Sequence, residues 1–240
     1  MNSTNSFFAS IRTIFVVLTL AVAMSALAQT GRSGADNWKE EVLLHDGQKI
    51  IVERSQTYGG RREIGQSPPV REHSINFKLP GSTKLITWTS EYGEDLGRTN
   101  FKLVALHVLK GTPYLVAVPN LCLAYNKWDR PNPPYVVFKR DDNDWKRIPL
   151  NELPAQFNEI NLVINNQGEP EITTAQIIVS AELVKKLNGE LAQPEYKTIL
   201  RDPLPKENIE VMCEERVLYK GSWILPNDPV ARNFIDAQKK

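Results

Sequence analysis

Residues 101–118 read FKLVALHVLKGTPYLVAV, and this stretch decides the fold class of the chain. Residues 101–109 and 112–118 flank the turn Lys110-Gly111, and both segments are rich in Val, Leu and Tyr. Segments of this composition carry too little charge to face water on both sides. The stretch therefore predicts a β-hairpin at the centre of the hydrophobic core.

Three more hairpins are predicted outward from this one, each consisting of two strand-like segments around a short polar turn. They pair residues 39–44 with 49–54 around Asp46-Gly47, residues 75–79 with 84–89 around Pro80-Gly81, and residues 135–140 with 145–148 around residues 141–144. Four consecutive hairpins predict a mainly β fold, either an antiparallel β-sandwich or a meander barrel.

A propeller is the alternative, because the hairpins recur roughly every 30 residues. Residues 138–145 are similar to the Asp-box turn of sialidase-type propellers, but the Ser, Gly and Thr of that box are missing. The other three hairpins share no residue pattern with it, and four two-stranded units supply too few strands for four-stranded blades. The sandwich or barrel is therefore the preferred prediction.

Beyond Leu150 the pattern changes to short mixed elements. Residues 161–164 predict a short strand. Ser180 in the N-cap position, followed by an apolar stripe, predicts a helix over residues 180–191. A second short helix is predicted to begin at Asp228-Pro229 and to end near Ala237. Residues 38–240 are thus predicted to form one β-rich domain, with hairpins over 38–150 and a mixed α/β part over 151–240.

The first 28 residues have the order of a cleavable secretory signal. Arg12 is the only charged residue before the apolar run 14–23, and a small-residue stretch follows at 25–28. This order predicts cleavage before Gln29. A membrane anchor is the alternative, but the uncharged stretch is short for a span of ~20 residues. Residues 29–37 are polar and predict a flexible leader.

Charge and cysteine content limit the partners and the compartment. The chain has 29 basic and 28 acidic residues, so loss of Arg12 with the signal leaves equal numbers. A neutral mature chain argues against nucleic acid as a partner and offers an anionic membrane no basic surface. Cys122 and Cys213 predict one disulfide in an exported chain, with two buried thiols as the alternative. The predicted location is the periplasm or the exterior of the cell.

Two segments are candidate binding sites. Residues 125–135 place Tyr125, Trp128, Arg130 and Tyr135 around three prolines, and such a rigid aromatic loop suits a glycan, a peptide or an envelope protein. Alternatively, the rings pack under their own loop. The second segment, residues 58–69, sets Arg61 and Arg62 among glycines and suits an anion, or else it is a solvated loop.

The sequence predicts no catalytic residue, metal site or cofactor. Its three histidines, His45, His73 and His107, occur in no metalloprotease or nucleophile motif. His45 falls in a turn, and His107 is interpreted as a core histidine bonded to a backbone carbonyl. Carboxylates cluster at residues 91–95 and 141–144, but acidic residues are common at hairpin tips for their turn geometry alone.

Five stretches distributed over most of the mature chain carry a resemblance to a known group. HDGQKIIVER at 45–54, EHSINFKLPG at 72–81, NKWDRPNPPYVVFKR at 126–140, WKRIPL at 145–150 and QPEYKTIL at 193–200 resemble a group of uncharacterised exported proteobacterial proteins. The resemblance implies a Gram-negative periplasmic or secreted protein, and no activity or site residue follows from it.

Three functions are compatible with these observations. The preferred one is a non-catalytic binding or envelope-interaction protein, since loops carry aromatic residues while reactive groups are sparse. A small secreted hydrolase would require His107 or His45 within hydrogen-bond reach of a carboxylate and a serine. A structural or assembly subunit would expose an apolar patch or an unpaired edge strand.

Overall fold

The computed structural model describes residues 35–164, 178–207 and 213–238. The strands are β1 (Ala35–Leu43), β2 (Lys49–Tyr58), β3 (Val70–Lys78), β4 (Leu85–Ser90), β5 (Tyr92–Gly93), β6 (Arg98–Thr99), β7 (Phe101–Leu109), β8 (Thr112–Pro119), β9 (Val136–Asp141), β10 (Asp144–Ile148), β11 (Ile178–Val179), β12 (Val217–Tyr219) and β13 (Ser222–Ile224). The helices are α1 (Leu121–Lys127), α2 (Ala181–Gly189) and α3 (Pro229–Gln238).

Two sheets pack face to face and enclose the main core. The first has the order β11-β1-β2-β3-β4 and the second the order β10-β9-β8-β7. Val52 and Ile75 of the first sheet and Leu103 and Leu115 of the second are at most 1% exposed and belong to one apolar cluster. The mainly β antiparallel sandwich is confirmed. The barrel alternative is wrong, because the described strands form separate open sheets.

All four predicted hairpins are confirmed as β1–β2, β3–β4, β7–β8 and β9–β10. In the first, Gly47 has a φ of +83°, which glycine adopts readily, and its amide donates to the carbonyl of Leu44 at 3.0 Å. Sequence analysis missed the short pairs β5–β6 and β12–β13 and the parallel contact of β11 with β1. Alternation over two or three residues is too brief to predict such strands.

A second core covers the outer face of the β7–β10 sheet. Phe157, which has no exposed surface, packs there with Val104, Tyr135 and Ile160. Arg201 holds this covering segment by donating to the carbonyls of Leu153, Pro154 and Phe157 at 2.8 to 3.0 Å. The segment that follows the fourth hairpin thus covers the outer face of the β7–β10 sheet.

Both predicted helices are confirmed. The Ser180 hydroxyl caps α2 by accepting from the Leu183 amide at 3.2 Å, and the helix ends at Gly189. The Asp228 carboxylate likewise accepts from the Ala231 amide at 2.9 Å at the start of α3. Helix α1 was not predicted, and it contains residues 125–127 of the predicted aromatic loop.

Residues 161–164 do not form the predicted strand. The Asn161 side chain occupies the place where a strand would pair with β7, since its amide oxygen accepts from the Leu106 amide and its nitrogen donates to the Leu106 carbonyl, both at 2.8 Å. A side-chain amide thus satisfies one position of the β7 edge. Beyond it, the Leu162 amide donates to the Val104 carbonyl of β7 at 3.2 Å, and the Val163 amide donates to the Glu40 carboxylate at 3.1 Å.

The predicted leader also differs from the structure at its end. Residues 35–37 belong to β1, where Ala35 pairs with Thr57 and the Asp36 carboxylate accepts from the Tyr58 hydroxyl. Residues 29–34 and the predicted signal 1–28 lie outside the described residues.

The predicted disulfide is confirmed: Cys122 and Cys213 are bonded, with their Cα atoms 5.1 Å apart. It ties the start of α1 to the segment that leads into β12. Among the described helices, none combines the length and apolar character needed to span a bilayer.

Candidate functional site

A cavity of about 190 Å³ lies at one end of the sandwich, and four basic side chains line it: Arg54, His73, Arg98 and Lys102. We call it the cationic cavity. Strand alternation explains two of these residues, because Arg54 continues the inward face of Ile50 and Val52 on β2. His73 likewise shares the inward face of β3 with Ile75 and Phe77. The apolar core therefore becomes polar at this end.

Arg54 is held by a buried carboxylate. The Arg54 guanidinium donates to Glu40 Oε1 at 3.1 Å, and the side chains of Arg54 and Glu40 are 5% and 0% exposed. Glu40 also accepts from the Trp38 indole at 2.6 Å and from the Val163 amide at 3.1 Å. Arg54 Nε, however, is buried without a hydrogen-bond partner in the described structure. Glu40 thus balances the positive charge of Arg54, while the N–H of Arg54 Nε has no hydrogen-bond partner among the described residues.

His73 is a neutral acceptor in this cavity. Its Nε2 lies 2.7 Å from the Phe101 carbonyl, which can only accept, so the ring proton is on Nε2. Burial, reinforced by the charge of Arg54, lowers the pKa of His73 to about 3. The ring is then neutral at physiological pH. Its Nδ1 is buried and has no hydrogen-bond partner among the described residues.

Arg98 and Lys102 supply positive charge without a counter-ion. Neither side chain forms an ion pair with a described residue, and both are half-buried. Burial lowers the pKa of Lys102, and the nearby charge of Arg98 lowers it further. No described residue that lines the cavity is acidic. Two cations therefore line the same small cavity, and no carboxylate of the described residues is paired with them.

The predicted aromatic loop is mostly packed inward. Tyr125 and Tyr135 are 7% and 4% exposed. The Tyr135 hydroxyl donates to the carbonyls of Glu195 and Thr198 at 2.9 and 3.1 Å, and burial raises its pKa. We therefore assign Tyr125 and Tyr135 to the packing of the loop and not to a ligand site.

Trp128 and Arg130 also have internal partners. The Trp128 indole donates to Asn100 Oδ1 at 3.3 Å, and its ring packs against the main core. Arg130 lies 5.1 Å from the centroid of the Tyr125 ring and donates to the Cys213 carbonyl at 3.0 Å. Arg130 thus attaches the C-terminal segment beside the disulfide, whereas Trp128 packs against the main core.

Arg61 and Arg62 are exposed, and neither lines the cationic cavity. The Arg61 amide donates to the Gly97 carbonyl at 3.0 Å and is therefore not free to receive an anion. Gly60 makes this approach possible, because a Cβ at that position would collide with the same carbonyl. The loop therefore supports the segment that precedes Arg98. Anion binding by Arg61 and Arg62 stays a prediction.

His107 is a core histidine, as predicted. Its Nε2 lies 2.9 Å from the Glu159 carbonyl, and its ring stacks on Phe157 at 4.7 Å. His45, predicted to lie in a turn, also contacts Phe157, with ring centroids 4.9 Å apart. Among the described residues, the recorded partners of the His73 and His107 rings are backbone carbonyls, not carboxylates. The geometry required for a hydrolase is not assembled from them.

The stability of the fold should depend on pH through His107. Burial lowers its pKa from 6.5 to about 4, so between these values the unfolded chain binds a proton that the folded chain does not. The free energy of unfolding then decreases as the pH falls below 6.5. From pH 7.5 to pH 5 we expect this residue to remove about 2 kcal/mol.

NMR titration of the imidazole signals and urea unfolding at each pH would measure this effect. His107→Gln, which can still donate to the Glu159 carbonyl, is the matched variant and should show a shallower decline. A His107 signal that titrates near pH 6.5 in the folded protein would contradict the assignment.

One carboxylate in each of the two predicted acidic clusters forms an ion pair. Asp95 accepts from Lys127 at 2.8 Å, and Asp141 accepts from Lys146 at 2.7 Å. The Lys146 hydrogen bond also lowers the pKa of the Asp141 carboxyl. Within the described ranges, no three His, Cys, Asp or Glu side chains are grouped so that they could hold a metal ion.

No protein-family model, curated protein or solved structure matches this chain. Its function is therefore inferred from the chemistry of its own residues.

Proposed function

We propose that the chain is an exported, non-catalytic binding protein and that the cationic cavity is its ligand site. The observation that carries the proposal is the pair Arg98 and Lys102, which line the cavity half-buried and form no ion pair with a described residue. Like charges in a partly buried volume repel each other. A bound group that carries a negative charge or an acceptor oxygen would offset this repulsion.

The size of the cavity limits what it can hold. Its volume of about 190 Å³ is below the 300 to 1,000 Å³ common for sites that enclose whole ligands of drug size. Val70 and Pro69 at its wall are half-exposed, so the cavity communicates with the surface. It suits a small molecule, or one terminal group of a peptide, a glycan or an envelope protein.

Export is the second part of the proposal. The disulfide between Cys122 and Cys213 supports an oxidising compartment such as the periplasm or the exterior. Cleavage before Gln29 would release the chain without an anchor. Intact mass and thiol titration of protein recovered from the cell envelope test this: a chain that begins at Gln29 without free thiols is expected, whereas an uncleaved chain with two thiols would contradict it.

An assembly subunit is the second candidate, because α3 exposes apolar side chains. Val230 and Phe234 on this helix are 76% and 62% exposed, and Leu218 on β12 is 49% exposed. Exposed apolar residues that are close together indicate an interaction surface. Sedimentation of the mature chain over a concentration series would detect self-assembly.

A thermal-shift screen of the mature chain tests the binding proposal. Small anions, neutral sugars and short peptides are the probes, and a bound probe raises the melting temperature by mass action. Val70→Trp, which places a large ring at the cavity wall, should abolish the shift. Val230→Trp adds the same ring on α3 and should retain it. The proposal fails if no probe class shifts the wild type, or if Val70→Trp responds as the wild type does.

A further inference from the structure

The wall of the cationic cavity offers a ligand two kinds of accessible side chain. Among the residues that line it, six keep exposed surface: the polar residues Arg98, Lys102 and Asn120 and the apolar residues Pro69, Val70 and Leu121. The other residues of the wall are buried. An occupant therefore meets cationic and apolar groups within one small volume.

The two cations define the charge of the occupant. Neither Arg98 nor Lys102 forms an ion pair with a described residue, and the charge of Arg98 lowers the pKa of Lys102. The Asn120 side-chain nitrogen already donates to the Thr99 carbonyl at 3.3 Å. An anionic oxygen beside Arg98 and Lys102 offsets their repulsion. Hydrogen bonds between cations and carboxylate oxygens are also among the stronger ones in proteins.

Leu121 indicates an apolar contact at the same cavity. Its side chain is 55% exposed, and its φ of +70° lies in the left-handed region that bulky residues seldom adopt. Backbone strain of this kind is frequent at ligand sites. Glycine or asparagine adopts this conformation at lower cost, so the backbone alone does not explain a leucine here.

The volume of the cavity limits the size of the occupant. Because a water molecule takes up about 30 Å³ of the liquid, a cavity of about 190 Å³ holds about six waters or a group of similarly few heavy atoms. Water brings no charge to Arg98 and Lys102, and an inorganic anion brings no apolar surface to Val70 and Leu121. A short carboxylate with a hydrocarbon group meets both requirements.

We infer that the cationic cavity binds a carboxylate with a short hydrocarbon group, with the carboxylate on Arg98 and Lys102 and the hydrocarbon group against Val70 and Leu121. A free branched-chain acid and the C-terminal residue of a peptide that ends in an apolar side chain share this chemistry. The inference rests on the proposed function, because it names the ligand class of the same cavity.

Four probes separate the two requirements. Isovalerate carries a charge and a branched hydrocarbon group, acetate and inorganic phosphate carry charge without that group, and isovaleramide carries the group without charge. In calorimetry at pH 7.5 and constant ionic strength, isovalerate should bind at least tenfold more tightly than acetate or phosphate, because its additional carbons leave water. Isovaleramide should not bind. Equal affinity for acetate, phosphate or isovaleramide would overturn the inference.

Two further probes distinguish the sources of this chemistry: N-acetyl-glycyl-leucine and its C-terminal amide. Binding of the peptide acid at least as tightly as isovalerate, without binding of the peptide amide, would identify a peptide C-terminus as the ligand. Binding of isovalerate without the peptide acid would identify a free acid.

Substitutions assign the effect to the cavity. Lys102→Met should weaken isovalerate binding at least tenfold, whereas Lys185→Met removes the same charge from the exposed face of α2 and should leave binding unchanged. Asparagine tolerates a positive φ, so Leu121→Asn should weaken isovalerate binding at least fivefold without lowering the melting temperature. Leu85 on β4 is equally exposed, at 55%, and Leu85→Asn should leave the affinity unchanged.

A measurement on the unmodified chain needs no variant to fold. A carboxylate beside Lys102 favours its charged form, so the titration of the Lys102 side chain, followed by NMR, should move to higher pH when isovalerate is added. Isovaleramide should leave it in place. A Lys102 titration that bound isovalerate does not move would refute the assignment of the carboxylate to this residue.

The outcomes distinguish this inference from the proposed function. Binding of a neutral probe that Val70→Trp abolishes, together with no response to isovalerate or the peptide acid, would overturn the inference and leave the binding function intact. Equal loss of affinity in Lys102→Met and Lys185→Met would indicate general charge screening and would also overturn it. Absence of binding by every probe class would refute the proposed function itself.

Discussion

Replacement of Cys122 and Cys213 by serine will lower the free energy of unfolding by about 4 to 5 kcal/mol. The bond closes a loop of 91 residues, and in the chain-entropy model a cross-link of that span restricts the unfolded chain by this amount at 25 °C. Urea unfolding of the mature double variant against the oxidised wild type measures the difference. Reduced wild type should match the variant, and reductant should not change the variant further.

The loss should be largest at the C-terminal end. Besides the disulfide, this segment is attached by Arg130, which donates to the Cys213 carbonyl at 3.0 Å, and by the Asn126 side chain, which donates to the Glu214 carbonyl and accepts from the Arg216 amide, both at 3.0 Å. Hydrogen bonds of such half-exposed groups contribute little net stability. Amide exchange over residues 213–238 should therefore accelerate more than exchange in β7 and β8. A loss of less than 1 kcal/mol with unchanged exchange would contradict the role assigned to the bond.

The hairpins were predictable from the sequence because polar and apolar residues alternate along their strands. Residues 50–56 of β2 alternate between buried and exposed side chains, and such a pattern combined with Asp46-Gly47 leaves few alternatives to a hairpin. Helix α2 was predictable for a similar local reason, since Ser180 caps it. The strand predicted at residues 161–164 was wrong because the Asn161 side chain takes both hydrogen bonds of Leu106 on β7, and only one backbone hydrogen bond, from the Leu162 amide to the Val104 carbonyl, remains.

The candidate site was less predictable, since it depends on contacts between distant strands. Residue type alone suggested a binding site at Arg61, Arg62 and the aromatic loop. The cavity is instead lined by Arg54, His73 and Lys102. The sequence did contain one indication: Arg54 and His73 lie at the alternate positions of their strands that otherwise hold buried apolar residues. A polar residue at an inward position is the feature to search for. That Arg98 and Lys102 line the same cavity as Arg54 and His73 could be seen only in the structure.

Glu40→Ala will lower the free energy of unfolding by about 3 to 5 kcal/mol, the range found when one partner of a buried ion pair is removed. Glu40 has no exposed surface and is the acceptor for three donors: the Arg54 guanidinium, the Trp38 indole and the Val163 amide. The substitution leaves a charge and two polar hydrogens buried without an acceptor. Each unsatisfied buried group costs about 1 to 3 kcal/mol, and a charged one costs more.

The same two strands contain a matched control on their opposite face. Lys39 and Glu53 form an ion pair of 2.9 Å between β1 and β2, with side chains 53% and 59% exposed. Exposed pairs contribute about 0 to 1 kcal/mol, so Glu53→Ala should cost no more than that.

Arg54→Met removes the buried cation together with its unpartnered Nε, and the double variant Glu40→Leu with Arg54→Met should recover part of the stability that Glu40→Ala loses. A cost for Glu40→Ala as small as that for Glu53→Ala would mean that the buried network is not what fixes Arg54 at the cavity wall.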